Sequence, residues 1–228
     1  MNTDSAIQNK ITEFWSSVAP YYETDPDNTA QFGTDAYRRW VGVVSRALPS
    51  VPGDVLDSCT GTGFAALIAA SLGHRVVGVD LAPSMLEIAR RTAKAHDVDI
   101  RFIEGDVLAP GLEEGSFDAV ICRHSLWTLR DANTAIGNWY GLLRPKGRVV
   151  VMDCFHAWGA AQSERDEYFY SYYTPDVRAA LLFLNIQDRA PLSEAFTRAG
   201  FAAIEFEVLP DTFGGDGLRP YLLVAHRD

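Results

Sequence analysis

Basic residues are in short supply in this chain: 20 Lys and Arg stand against 30 Asp and Glu, a formal charge of −10 over 228 residues. A phosphate backbone is gripped by clustered Lys and Arg, so the deficit argues against nucleic acid as a partner, and the acidic surplus mostly reports solubility. Long apolar runs are missing too. No stretch reaches the roughly 18 residues that a membrane-spanning helix needs, and Met1 to Lys10 is polar where a signal peptide would be apolar. No membrane partner and a cytoplasmic location follow as expectations. Cysteine is limited to Cys59, Cys122 and Cys154, which lack metal-ligand spacing, so no metal is expected and a reducing compartment suits them. Each falls at the carboxyl end of a predicted strand. They form either a thiol cluster at a ligand crevice or small apolar fillers of buried strand ends, the second being the usual fate of free cysteine. Repeats and low-complexity segments are absent.

What is present is 47% hydrophobic content, enough for one large core, and one dense motif. Val55-Leu56-Asp57-Ser58-Cys59-Thr60-Gly61-Thr62-Gly63 is followed about one short helix later by Val77-Gly78-Val79-Asp80. The pattern describes two neighbouring strand ends, each with a carboxylate, and a glycine turn at the first. In a doubly wound sheet ligands sit at the carboxyl ends of strands, where a helix N-terminus offers free N–H groups. Gly61 and Gly63 let the backbone approach a ligand, and Asp80 can accept two hydrogen bonds from a ribose diol. Gly61 to Ala66 also fits the loose dinucleotide pattern G-x-G-x-x-A. Asp57 disfavours that reading, because a carboxylate facing the loop would repel phosphates but could help orient a cationic amine or sulfonium. S-adenosylmethionine carries an ammonium, a sulfonium and a ribose diol, and no phosphate.

With these residues in place, the sequence resembles the class I S-adenosylmethionine-dependent methyltransferases of the small-molecule group over roughly residues 10 to 205. Further motifs stand in the family's order: Val79 to Leu86, Phe102 to Val107, Ser116 to Cys122 and Leu143 to Val150. The resemblance implies that Asp80 takes the ribose hydroxyls, that Leu81 and Met85 lie on the adenine side, and that Asp106, between Gly105 and Val107, reads the adenine amino group. Asp57, Cys59, Thr60, Gly61 and Gly63 join them as candidate cofactor contacts, Arg123 is delivered close to where the family holds the methionine moiety, and Tyr22 sits where related enzymes close a tyrosine over the cofactor. Cys59 departs from the pattern, standing where the family often has its first glycine. A side chain there calls for negative φ and takes space near the methionine moiety.

Periodicity predicts an amphipathic helix over 5–18 stopped by Pro20, a loop over 21–33, a helix near 34–48, then alternating strands and helices: strand 53–58, helix 63–72, strand 75–79, helix 83–96, strands 99–103 and 117–122, helix 131–143, strand 147–153. A helical insertion near 160–186 and a helix at 191–199 precede closing strands at 201–208 and 219–226. The expected fold is α/β and Rossmann-like: seven mostly parallel strands with the last antiparallel and helices on both faces. The expected division is an N-terminal helical cap, 1–48, on a core, 49–228, with an insertion near 155–190.

Residues outside the common core speak to the acceptor. His124 and His156 are the candidate general bases, each equally readable as a structural histidine. Trp127 reads as a pocket wall or a half-buried core ring. Phe155-His156-Ala157-Trp158 and Tyr168-Phe169-Tyr170-Ser171-Tyr172-Tyr173 hold more rings than one helix face buries, so some meet a second surface: an aromatic substrate, the cap or a dimer partner. Trp15, Tyr21, Trp127, Phe155, Trp158, Tyr168 and Tyr172 are accordingly candidate substrate contacts, and a homodimer is one expected partner. The function expected is methyl transfer to an O, N or C atom of a small aromatic, secondary-metabolite or quinone-like acceptor, with proximity as the main catalytic device. A silent cofactor-binding scaffold and a nicotinamide-dependent oxidoreductase are the alternatives.

Overall fold

The computed structural model describes residues 3–24, 34–155, 164–213 and 218–228. Among them, seven strands form one sheet: β1 (Asp54–Ser58), β2 (Arg75–Asp80), β3 (Ile100–Glu104), β4 (Phe117–Arg123), β5 (Leu143–Phe155), β6 (Ala203–Val208) and β7 (Arg219–His226), in the order β3-β2-β1-β4-β5-β7-β6. Strands β1 to β5 pair in parallel, and β7 runs antiparallel to both β5 and β6. The order reverses at β1, so the carboxyl ends of β1 and β4 flank the topological switch point where a doubly wound sheet takes its ligand.

The helices are α1 (Thr3–Thr24), α2 (Asp35–Ala47), α3 (Phe64–Ser71), α4 (Pro83–Ala95), α5 (Ala132–Leu142), α6 (Glu164–Tyr172), α7 (Pro175–Ala180) and α8 (Ala190–Arg198). Strand residues alternate between two buried clusters. Leu56, Val120, Val149, Val151 and Leu223 face α5 and α8, and Val55, Ile121, Val150 and Leu222 face α2 and α3. Both faces of the sheet are thus covered, which is why its strands are nearly continuous apolar runs.

A third cluster lies apart from the sheet. Ile7, Ile11 and Phe14 of α1 pack with Trp127 and with Phe169, Tyr173 and Val177 of the α6–α7 insertion. Phe14 meets Phe169 and Tyr173 edge to face at 5.5 and 5.2 Å. The second surface that the aromatic segment called for is therefore α1. Helix α2 belongs elsewhere, burying Trp40, Val43 and Val44 against α3.

One expectation is corrected. Pro20 does not end α1, which continues to Thr24 with Pro20 inside it. Proline removes the N–H that would bond the carbonyl four residues back, and that carbonyl, of Ser16, instead accepts the Ser84 hydroxyl of α4 at 3.0 Å. Ala19 is fully buried against Ala82, Met85 and Ile88, so tertiary packing holds the last turn in place.

Candidate cofactor site

The site is built where β1 gives way to α3. Thr60 N–H bonds Val79 O at 2.9 Å, extending the ladder one step past β1, and Gly63 N–H closes a turn on Thr60 O at 2.9 Å. Gly63, at φ +86°, caps α3, and a Cβ there would press on Ala89 of α4 at 3.2 Å. Cys59 takes φ +59°, so the expected negative φ is overturned. The register of the loop forces the left-handed turn that glycine ordinarily supplies, at a cost of about 1–2 kcal/mol for an L side chain. His124, just past β4, is likewise left-handed at φ +51°.

Asp57 is almost wholly buried. Its Oδ2 accepts the Thr60 hydroxyl at 2.6 Å and the Ala66 N–H at 2.9 Å, while its Oδ1 has no partner among the described residues. Burial pushes its carboxyl up to about 7, against the pull of those two donors. Asp80 sits at the end of β2, with Oδ2 accepting Gly61 N–H and Oδ1 accepting Ala82 N–H, each at 2.8 Å. Burial raises this carboxyl also. Arg123 lies between two rings, its guanidinium carbon 4.7 Å from the centroid of Trp40 and 4.3 Å from that of Phe64, a cation–π sandwich that holds positive charge beside Asp57.

These groups line one hollow of about 620 Å³, counted out to its open mouth. Trp15 and Tyr22 of α1 form its outer wall, Asp57, Thr60, Gly61, Asp80 and Met85 its floor, and Arg123, His124 and Thr128 its far side. All of these but Thr128 are sequence-predicted residues, and the structure brings them together. Leu81, Gly105, Asp106 and Val107 stand beyond the hollow. Asp106 accepts Arg130 at 2.5 Å and Leu108 N–H at 2.9 Å. Trp127 is buried in the α1–α6 cluster, and Phe155 lies in the main core, 4.7 Å from the Tyr221 ring. Tyr21 is exposed, Tyr168 half exposed, and Tyr172 edges a shallow polar groove with Asn9, Glu13 and Ser16. His156 and Trp158 lie outside the described residues. Cys122 and Cys154 are buried and Cys59 is partly so. Burial drives the thiols of Cys59 and Cys122 well up and that of Cys154 to about 12, so all three stay protonated fillers. Among the described residues no group of His, Cys, Asp and Glu has the makings of a metal site.

Sequence reasoning missed Thr62, Phe64, Ala65, Ser125 and Thr128 on the lining. Thr62, Phe64 and Ala65 sit inside the Gly61–Ala66 motif already singled out and were open to discovery. Trp40, which holds Arg123 from 83 positions away, left no local signal.

A profile described as a methyltransferase domain matches residues 55–147, the span from β1 into β5. Over that span the chain is similar to the methyltransferase domain family. Among its relatives, the demethylmenaquinone methyltransferase of Thermus thermophilus is 40% identical over 142 residues, 61% of this chain. The match spans 63% of that relative's length, short of two thirds. The 2-phytyl-1,4-naphtoquinone methyltransferase of Thermosynechococcus vestitus is 29% identical over 162 residues, covering 70% of this chain and 71% of that protein. In fold, the chain is similar to Haemonchus contortus phosphoethanolamine N-methyltransferase 2 solved with S-adenosyl-L-methionine. There the TM-score is 0.70 at 20% identity, over 93% of this chain and 57% of that one. Among the described residues, no helix is long and apolar enough to cross a membrane.

Proposed function

We propose that this chain transfers a methyl group from S-adenosylmethionine to a small aromatic acceptor of the quinol class. The observation that carries the reading is Asp57 Oδ1, a buried carboxylate oxygen on the wall of the hollow with no donor among the described residues. Such an atom is costly unless a ligand supplies the donor. A cationic ligand fits it and a phosphate does not.

Asp57 would hold the cationic methionine end, and Asp80, with lone pairs to spare beyond its two backbone bonds, the ribose diol. When bound, the cofactor supplies a methyl group on a sulfonium leaving group. The chain's own work is then alignment and exclusion of water. Trp15 and Tyr22 close the outer wall, so α1 with the α6–α7 insertion acts as the cap. His124, on the far side, would accept the proton of an acceptor hydroxyl or ring C–H as general base. The quinone relatives support the acceptor class, and the aromatic wall suits a flat ring.

Calorimetric titration of protein freed of copurified ligand tests the cofactor. Micromolar binding of S-adenosylmethionine and none of NAD is expected. Label transfer from methyl-labelled cofactor to a naphthohydroquinone tests the acceptor. Binding without transfer to any quinol would point to the scaffold alternative.

A further inference from the structure

Thr128 and Tyr173 form a buried polar pair that the cofactor reading leaves unexplained. Tyr173 is fully buried, and its phenol oxygen is hydrogen-bonded to Thr128 Oγ1 and accepts Trp15 Nε1–H at 3.0 Å. Trp15 also approaches Thr128 Oγ1 at 3.5 Å. Trp15 and Thr128 line the hollow, and Tyr173 stands behind them.

The polarity of this triad follows from counting protons. An indole N–H only donates. The Tyr173 hydroxyl proton, buried beside one donor and one hydroxyl, finds its acceptor in Thr128 Oγ1. Burial also drives the Tyr173 phenol well above its ordinary range, so that proton stays in place. The order is therefore Trp15 N–H to Tyr173 O, then Tyr173 O–H to Thr128 O. The proton of Thr128 is left over, and Thr128, more than nine-tenths buried, is one of the residues that line the hollow. A hydroxyl that is already accepting a hydrogen bond is a better donor.

Resting on the methyltransferase reading above, we infer that Thr128 is a specificity residue that donates its hydroxyl proton to an oxygen of the aromatic acceptor, a carbonyl or a phenolate. The acceptor class narrows accordingly to rings bearing oxygen at the edge turned to the β4–α5 loop. Tyr173 is a positioning residue, acting through Thr128, and Trp15 ties the same proton chain to α1. A ring without such an oxygen leaves a buried donor unpaired, the arrangement by which sites reject analogues most strongly.

Equilibrium dialysis with 1,4-naphthoquinone and with naphthalene, in the presence of S-adenosylhomocysteine, separates these roles. The wild type is expected to favour the quinone about tenfold, the discrimination one desolvated hydrogen bond supplies. Thr128→Val should erase that preference, and Thr128→Ser should restore it. Tyr173→Phe, which spares the donor but removes its polarising partner, should reduce the preference to about threefold. Retention of the full preference in Thr128→Val overturns the assignment. Wild type that binds cofactor and neither probe overturns the aromatic-acceptor reading itself, and the Thr128 role with it. If Thr128→Val fails to fold, an undiminished preference in Tyr173→Phe sinks the proton chain.

Discussion

The hydroxyl of Ser84, at the start of α4, donates at 3.0 Å to the carbonyl of Ser16, the one that Pro20 leaves without its helical partner. A defect in one helix is thereby met by a side chain of another, and the meeting point lies next to Tyr22 and Met85 on the wall of the candidate cofactor site.

Ser84→Ala is expected to cost about 1 kcal/mol, because the partly buried carbonyl loses its donor. Pro20→Ala restores the backbone N–H, so in that background Ser84→Ala should cost little. Urea unfolding of the two single variants and the double variant measures the coupling. Additive losses would mean that Ser84 does not answer Pro20.

The pH dependence of Asp57 has a definite sign. Its folded carboxyl is raised to about 7, above an unfolded value near 4. Between those limits the folded chain holds the extra proton, so this group's contribution to ligand-free stability is largest below about pH 4 and is lost as pH rises through about 7. A cationic cofactor prefers the ionised form, so its affinity should rise between pH 6 and pH 8. Asp57→Asn should flatten both trends, in melting temperature and in calorimetric affinity. An unchanged slope in that variant would assign the titration elsewhere.

Cys59 offers a test of backbone cost. Alanine at 59 keeps the left-handed strain and loses the thiol, while glycine loses the thiol and relieves the strain. Cys59→Gly should therefore be more stable than Cys59→Ala by about 1 kcal/mol. Equal midpoints in denaturant would place residue 59 at negative φ after all.

Gly78, inside β2, makes room for the Asp57 network from behind. A Cβ there would stand 2.8 Å from the Phe102 ring and 2.9 Å from Thr60 Oγ1. Gly78→Ala should displace the Thr60 hydroxyl from Asp57 and weaken cofactor binding about tenfold, by the worth of one hydrogen bond to a charged group. Undiminished affinity in calorimetry would show that Phe102 alone yields.

The local chain by itself determined a good deal here. Apolar runs alternating with helical periods dictate a parallel sheet, because strands buried on both faces must be apolar throughout. The spacing of Asp57, Gly61, Gly63 and Asp80 dictates two acidic strand ends beside a glycine turn, since each of those features is set within a few residues. The tertiary structure decided what depends on partners far along the chain. Pro20 reads as a stop until Ser84, 64 residues on, supplies the missing donor. Cys59 reads as a negative-φ position until the β1–α3 turn imposes the opposite sign. The rings of 168–173 carry the same hydrophobicity whichever surface they meet, and only the approach of α1 sends Phe169 and Tyr173 inward and leaves Tyr168 partly outside. Propensity and spacing are properties of neighbours in sequence. Hydrogen-bond satisfaction and burial are properties of neighbours in space.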